Sequence, residues 1–159
     1  MDYKVIDYQE QYKKEVLEAI DQGYKDIGYS GIELDSLDDD LNDISKSFAK
    51  PSIFKLVFDA NELIATYAVK VMDKKAELKR VYVRSDYRGK GIAKKISLDA
   101  FAYVKDLGIT NLDIWSGTLC NAAHNMYQKL GAKKTDATRN LGGADDVVEY
   151  HFIKDLTCV

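Results

Sequence analysis

The chain has 159 residues, of which 46% are hydrophobic and 31% are charged, and it contains a single proline. This composition predicts one globular domain over residues 1–159 and excludes a disordered or collagen-like chain. The net charge of -3 argues against a nucleic-acid-binding protein, because such proteins present a basic face.

Short periodic segments make up the first third of the chain. Residues 3–8 alternate like a strand, β1, and residues 10–22 carry apolar side chains at helical spacing, α1. Residues 24–31 are rich in glycine and tyrosine and are interpreted as a loop or a frayed helix end. Ser36 can cap a second helix, α2, which ends before Pro51 and has the apolar stripe Leu37, Leu41, Ile44 and Phe48.

Three strands in succession predict an antiparallel meander. Residues 52–58 and 63–72 are rich in β-branched and aromatic side chains, and the turn Asp59-Ala60-Asn61 joins them as β2 and β3. A second turn at 73–75 leads into β4, residues 76–83. Strands joined by such tight turns pair with their neighbours in the antiparallel sense.

The second half of the chain alternates helices and strands. The predicted elements are α3 (92–107), β5 (111–115), α4 (121–130), β6 (133–138) and β7 (147–153). Gly108 and Gly131 follow the two helices as stops, and Gly142-Gly143 forms the turn between the last two strands. The strand-helix-strand order places β4 and β5 side by side and parallel.

A basic, glycine-containing loop follows β4. Between Arg80 and Lys95 the chain carries six basic residues and one acid. Gly89 and Gly91 leave backbone N–H groups accessible at the start of α3, and nearby bases add charge-assisted contacts. These features predict a pyrophosphate site, although a loop of this kind is also typical of a basic surface turn.

The loop and its surroundings resemble the GNAT family of N-acetyltransferases. The family signature Gln/Arg-x-x-Gly-x-Gly/Ala is matched by Arg88, Gly91 and Ala93, and residues 78–83 resemble the family's β4. Residues 123–131 resemble its α4 pattern Ala-x-x-x-Tyr-x-x-x-Gly. The resemblance covers nearly the whole chain and implies an α/β fold with a mixed sheet, in the order β1-α1-α2-β2-β3-β4-α3-β5-α4-β6-β7.

The resemblance implies that acetyl-CoA (coenzyme A) is the acetyl donor and that a primary amine attacks it directly, without a metal. The pantetheine arm would lie between β4 and β5, along Val81, Tyr82 and Val83. The pyrophosphate would bind to the loop and the start of the helix, at Arg88, Gly89, Lys90, Gly91, Ile92 and Ala93.

Two residues have implied catalytic roles. Tyr127 matches the family tyrosine that protonates the departing thiolate; the alternative is a core tyrosine of α4. Glu77 lies where some members place the carboxylate that takes a proton from the amine, and burial would raise its pKa. The alternative for Glu77 is an edge-strand residue that faces solvent.

Three residues around the start of α4 are open to more than one interpretation. Asn121 resembles the family's cofactor-binding asparagine, but the commonest spacing would put that residue at Cys120, and Asn121 is also a good helix cap. His124 lies off the predicted apolar stripe, so a surface or hydrogen-bonded histidine is favoured over a base. Ala132 replaces the family's usual aromatic residue, a change that affects packing.

The acceptor is unknown from the sequence. Tyrosines at 24–29 and six acids between Glu33 and Asp43 fall in the region that lines the family's acceptor site. They suggest a cationic amine on a small molecule or a peptide, such as a polyamine, an aminoglycoside-like amine, or a lysine or N-terminal amine. A solvated helix start is the alternative. The competing function is a non-catalytic acyl-CoA-binding or regulatory module on the same fold.

Features that the sequence lacks lead to expectations about the cellular location and assembly of the protein. There is no apolar run of a signal peptide at the start, and the window 63–72 is too short to cross a bilayer. Cys120, Cys158 and two histidines form neither a disulfide framework nor a metal cluster. We expect a cytoplasmic monomer or homodimer that binds neither membranes nor nucleic acid.

Overall fold

The computed structural model describes residues 2–157, and its seven strands form one mixed sheet in the order β1-β2-β3-β4-β5-β7-β6. The strands are β1 (Lys4–Asp7), β2 (Ile53–Asp59), β3 (Glu62–Met72), β4 (Lys75–Val83), β5 (Asn111–Gly117), β6 (Lys133–Gly142) and β7 (Val147–Asp155). Only the β4 and β5 pair is parallel among these described strands. The predicted meander and the parallel pair are both confirmed.

The helices are α1 (Lys13–Asp26), α2 (Ile44–Ser47), α3 (Ile92–Asp106) and α4 (Asn121–Lys129). Single 3-10 turns occupy Glu10–Tyr12, Asp39–Leu41 and Ser85–Tyr87. The first helix is longer than the sequence predicted, because it continues to Asp26 and includes Tyr24. The loop interpretation therefore holds only from Ile27 onward.

The prediction of a continuous second helix from Ser36 is wrong. This stretch contains one 3-10 turn and a four-residue helix, whose capping bond is accepted by Asp43 from the Lys46 N–H at 3.2 Å. Asp38 has a non-helical backbone because its side chain turns into the protein. The predicted apolar residues Leu41, Ile44 and Phe48 are buried, whereas Leu37 is partly exposed.

Helices cover the two faces of the sheet unequally. On one face α3 and α4 pack over its centre, with Ile96, Ala100 and Val104 in the same buried cluster as Leu78 and Ile114. On the other face α1 and α2 bury residues of β2 and β3, and no buried residue of that described cluster comes from β5, β6 or β7. Each large apolar side chain buried in this way contributes about 1.5–3 kcal/mol.

The parallel strands β4 and β5 pair over only three residues each. Ala76, Glu77 and Leu78 pair with residues 112–114, and no pairing joins the rest of β4 to the rest of β5 in the described chain. Both strands nevertheless continue, to Val83 and to Gly117. The sheet therefore opens between them on the side where α3 begins.

A β-bulge interrupts β4 where the opening starts. Ala68 of β3 pairs with Lys79, but Thr66 pairs with Tyr82, so β4 carries an extra residue. Arg80 within the bulge has a φ of 57°, a left-handed conformation that costs a non-glycine residue roughly 1–2 kcal/mol. The hydroxyl of the fully buried Thr66 donates to the Arg80 carbonyl at 2.8 Å and supports this conformation.

Candidate active site

A cleft of about 900 Å³ lies where β4 and β5 diverge. Nearly all the site residues predicted from the sequence line it: Glu77, Val81, Tyr82, Val83, Arg88, Gly89, Gly91, Ile92, Ala93, Asn121 and Tyr127. Lys90 is not among the lining residues, and its ammonium lies 5.0 Å from the centre of the Tyr87 ring. Its contact with a cofactor stays a prediction.

The start of α3 presents a concave row of hydrogen-bond donors. Within residues 2–157 no protein acceptor binds the six backbone N–H groups of residues 89–94. Gly89 and Gly91 have φ values of 77° and 81°, and a Cβ atom added at either would meet nothing within 4 Å. A fifteen-residue helix also directs its positive end here, so the row fits a pyrophosphate group.

Arg88 shapes this loop through contacts to its neighbours. Its Nε donates to the Val83 carbonyl at 2.8 Å, and its Nη2 pairs with Asp26 at 3.0 Å. These bonds tie the loop to the end of β4 and to the last turn of α1. The guanidinium is still partly exposed, so it can hold the loop and also contact an anion.

Tyr127 is a buried residue whose hydroxyl group is accessible from the cleft that it lines. The residue is 4% exposed, its ring lies 6.3 Å from that of Phe152, and its hydroxyl makes no hydrogen bond to any described residue. Burial, with a smaller effect of nearby Cys120, raises the pKa of Tyr127 well above its ordinary value. The hydroxyl therefore stays protonated at neutral pH and available as a donor.

The predicted capping role of Asn121 is wrong. Cys120 occupies the N-cap position without a side-chain capping bond, and Asn121 is the exposed first residue of α4. Both residues line the cleft, so either of them can contact a cofactor there. Burial raises the pKa of the Cys120 thiol, which disfavours a reactive thiolate.

His124 is part of the core and lies on the buried face of α4. It is 8% exposed, its ring lies 5.2 Å from that of Phe152, and its Nε2 is 3.1 Å from the Ser116 hydroxyl. Burial lowers its pKa, so the ring is neutral near pH 7. The hydrogen-bonded histidine is the interpretation that this geometry confirms. Ala132, buried in the same core, has the packing role expected of it.

Glu77 belongs to an interior strand and not to an edge. Its carboxylate accepts from Arg139 Nη2 at 3.1 Å, and Arg139 Nε donates to Glu149 at 2.6 Å. The same guanidinium lies 4.6 Å from the centre of the Trp115 ring. Sequence reasoning missed Arg139, because no local pattern indicates that β6 reaches this end of the cleft.

Two acids of the predicted acidic stretch, Asp38 and Asp40, pair with Arg80 in the interior. Arg80 Nη1 donates to Asp38 at 2.7 Å and to the Tyr24 hydroxyl at 2.5 Å, and Nη2 donates to Asp40 at 2.5 Å. The Arg80 side chain is 7% exposed. Burial alone would lower its pKa, but Tyr24, Asp40 and Asp38 outweigh burial and raise it. The basic segment 80–95 is therefore not one site.

Within residues 2–157 no group of three or more His, Cys, Asp or Glu side chains could hold a metal ion. No helix in that part of the chain combines the length and the apolar character needed to cross a bilayer.

The similarity of the chain to known proteins agrees with the interpretation of the cleft. The model of the Acetyltransferase (GNAT) family matches residues 16–132. N-acetyltransferase 8 of Mus musculus is 30% identical over 127 residues, which cover 74% of this chain and 56% of that protein. Spermidine N(1)-acetyltransferase of Thermoplasma acidophilum is 30% identical over 113 residues, with 70% and 68% covered. The chain thus spans little more than half the length of the mouse relative.

Solved structures share the fold. A GNAT-family acetyltransferase from Staphylococcus aureus superposes with a TM-score of 0.83 and 21% identity, covering 98% of this chain and 100% of that one. The PaiA N-acetyltransferase of Thermoplasma acidophilum, crystallised with coenzyme A, gives 0.69 and 21%, with 98% and 99% covered.

Proposed function

The chain belongs to the GNAT family of acetyltransferases, and we propose that it transfers an acetyl group from acetyl-CoA to a primary amine. One observation carries this proposal: the row of free N–H donors at residues 89–94 and the unpartnered hydroxyl of Tyr127 belong to the same cleft. The Tyr127 hydroxyl makes no described hydrogen bond and is accessible from the cleft, so a bound thioester or thiolate can interact with it.

Each wall of the cleft suits one part of acetyl-CoA. The pyrophosphate fits the N–H row, and the unpaired edge of β4 at Val81–Val83 can hydrogen-bond the amides of the pantetheine arm. The sulfur would then lie near Tyr127. When the amine nitrogen bonds to the acetyl carbon and the carbon–sulfur bond breaks, the Tyr127 hydroxyl can donate to the departing thiolate.

Glu77 is our candidate for accepting the proton that the amine loses. It lines the cleft, and Arg139 fixes the direction of its carboxylate. Because one of its oxygens is engaged by Arg139, the second oxygen or an intervening water is the path for the proton. Glu149, held by the same guanidinium, is the alternative acceptor of that proton.

We keep the cationic acceptor but assign its recognition to Glu33 of the predicted stretch together with acids outside that stretch. Asp38 and Asp40 pair with Arg80, and Asp40 also with Lys79. Four other carboxylates line the cleft, and Arg139 is the one base that pairs with any of them among the described residues; they are Glu33, Glu77, Asp145 and Glu149. These four acids less the one base that pairs with them leave three negative charges among the five side chains. The spermidine acetyltransferase among the relatives supports a polyamine-like acceptor. An amine panel tests this, and faster turnover of neutral or anionic acceptors would contradict it.

The first experiment is thermal unfolding with acetyl-CoA. A ligand at 100 times its dissociation constant adds about 2.7 kcal/mol, which corresponds to roughly 5–10 °C in a chain of this length. Pantetheine alone should give a much smaller shift, because it lacks the pyrophosphate. No shift at saturating acetyl-CoA would contradict the proposed donor site.

The second experiment is Tyr127→Phe. Loss of a proton donor should lower kcat by about 10²–10⁴-fold, while acetyl-CoA affinity and stability change little, since the hydroxyl has no protein partner. Tyr67→Phe is the matched control, because Tyr67 is equally buried in the same core but does not line the cleft. Acetyl-CoA binding without turnover, with no effect of Tyr127→Phe, would favour the non-catalytic module.

A further inference from the structure

Two loops from opposite walls of the cleft are hydrogen-bonded to each other. Residues 29–33 follow α1, which packs on the β4 wall, and residues 143–145 join β6 to β7 on the β5 wall. The Ser30 N–H and hydroxyl donate to the two oxygens of Asp145 at 2.7 and 2.6 Å, and the Ala144 N–H donates to Glu33 at 3.1 Å. We call these two segments and their contacts the strap.

The strap is closely packed as well as hydrogen-bonded. A Cβ atom on Gly143 would lie 2.5 Å from a Glu33 oxygen and 2.9 Å from a Leu37 methyl carbon. At the start of the segment 29–33, the Tyr29 hydroxyl lies against Gly117 and accepts from the Leu119 N–H at 3.4 Å. The contacts therefore continue from the end of β5 to the turn between β6 and β7.

The strap bridges the acceptor end of the cleft. Glu33 and Asp145, two of the four acids assigned above to acceptor recognition, belong to the strap itself. The Ser30 bonds also hold the pKa of Asp145 below its usual range, so its carboxylate accepts them throughout the neutral pH range. A bulky chain can cross this end only if these bonds break.

We propose that the acceptor is a small free amine and not an amine carried by a polypeptide. The inference rests on the proposed acetyltransferase function and concerns the substrate class of the same site. A small amine can occupy the space beside Glu77 with the strap intact, whereas a peptide needs the loops to separate before its amine reaches the thioester.

The test compares one amine in two settings. The small acceptor is lysine with both its α-amino and carboxyl groups blocked, and the large one is the same lysine at the centre of a nine-residue peptide with blocked ends. A third acceptor is a lysine-free peptide with a free N-terminus. We expect kcat/KM for the small acceptor to exceed that for either peptide by about tenfold or more.

Asp145→Ala should open the strap and raise the relative rate of the lysine peptide severalfold. The small and large acceptors carry the same ammonium, so their ratio cancels the charge that Asp145 contributes. Asp146→Asn is the control, since it removes one neighbouring exposed charge that makes no contact with the loop at residues 29–33 among the described residues. An unchanged ratio in Asp145→Ala would overturn the role of the strap.

The possible failures are distinguishable. Equal or faster acetylation of either peptide by the wild-type protein overturns the small-amine inference and leaves the acetyltransferase function standing. If acetyl-CoA binds but no acceptor reacts, the proposed function itself fails and the inference fails with it.

Discussion

Two charged regions adjoin β4, and the protein uses them in opposite ways. Around Arg80 opposite charges pair with one another in the interior, with Asp38 and Asp40 both within 2.7 Å of the guanidinium. At residues 89–94 the backbone N–H donors at the start of α3 have no described protein partner. The sequence shows both as charge, but only in the second region are the unfilled donors accessible to a ligand, because the unpartnered Arg80 Nε and Asp40 Oδ2 are buried.

The difference teaches that charge density is a weak marker of a ligand site. Burial has turned Arg80 into a structural clamp that joins β4 to the segment after α1, because a guanidinium in the interior must be paired. Accessible donors at a helix start have no such requirement, since water or a ligand can satisfy them. Unsatisfied but accessible donors are therefore the better marker.

The largest expected effect is on the clamp. Arg80→Met leaves Asp38 buried without its cation and should lower the free energy of unfolding by roughly 3–5 kcal/mol, measured by chemical denaturation. Adding Asp38→Asn should restore part of the loss. Lys79→Met is the control, because the Lys79 ammonium is 3.6 Å from Asp40 and partly exposed, and such a pair contributes below about 1 kcal/mol.

A result of the opposite kind would break the comparison. If Arg80→Met kept its stability but lost acetyl-CoA affinity, Arg80 would belong functionally to the phosphate site, as the run of basic residues in the sequence suggested.

The second largest expected effect distinguishes a loss of stability from a loss of acetyl-CoA affinity when a glycine is replaced. Gly91→Ala and Gly108→Ala place a Cβ at φ values of 81° and 79°, each with nothing within 4 Å, so both should lose about 1–2 kcal/mol of stability. Only Gly91→Ala should weaken acetyl-CoA binding, by roughly tenfold or about 1.4 kcal/mol, because its methyl group enters the N–H row. Calorimetric titration of both variants measures this, and equal affinities would contradict the assigned site.

The smallest effect concerns Lys90, which is exposed and outside the cleft lining. Lys90→Ala should weaken acetyl-CoA binding by less than about threefold at physiological salt, and the difference should vanish at high salt. Lys95→Ala, on the next turn and paired with Asp99 at 2.7 Å, should have no effect. A salt-independent loss in Lys90→Ala would show a direct contact that this geometry lacks.

Much of the architecture could be predicted because it depends on local patterns. Alternation, turn residues and helical spacing gave the strands and three of the four helices, and connection rules made β4 and β5 parallel. The glycine-containing loop at 88–93, with the helix that follows it, could be predicted for the same reason. Its glycines and the following helix are adjacent in the chain, so no distant contact decides their geometry.

The errors arise where contacts between distant residues decide the structure. The predicted second helix is broken because Asp38 pairs with a residue 42 positions away, and that pairing outweighs helix propensity. Arg139 meets Glu77 across 62 positions, and Ser30 meets Asp145 across 115. No local pattern in the sequence reports such pairs, so the acceptor end of the cleft was the part left unpredicted.

The bulge at Arg80 reverses the parity of β4. Before it, even-numbered residues such as Leu78 join the core under α3; after it, odd-numbered Val81 and Val83 do so, and Tyr82 lies against Gly23 of α1. Deleting one residue between Lys79 and Tyr82 would restore a single parity and exchange the two faces beyond that point. The chain length of this segment is therefore under a stricter constraint than the identity of most of its residues.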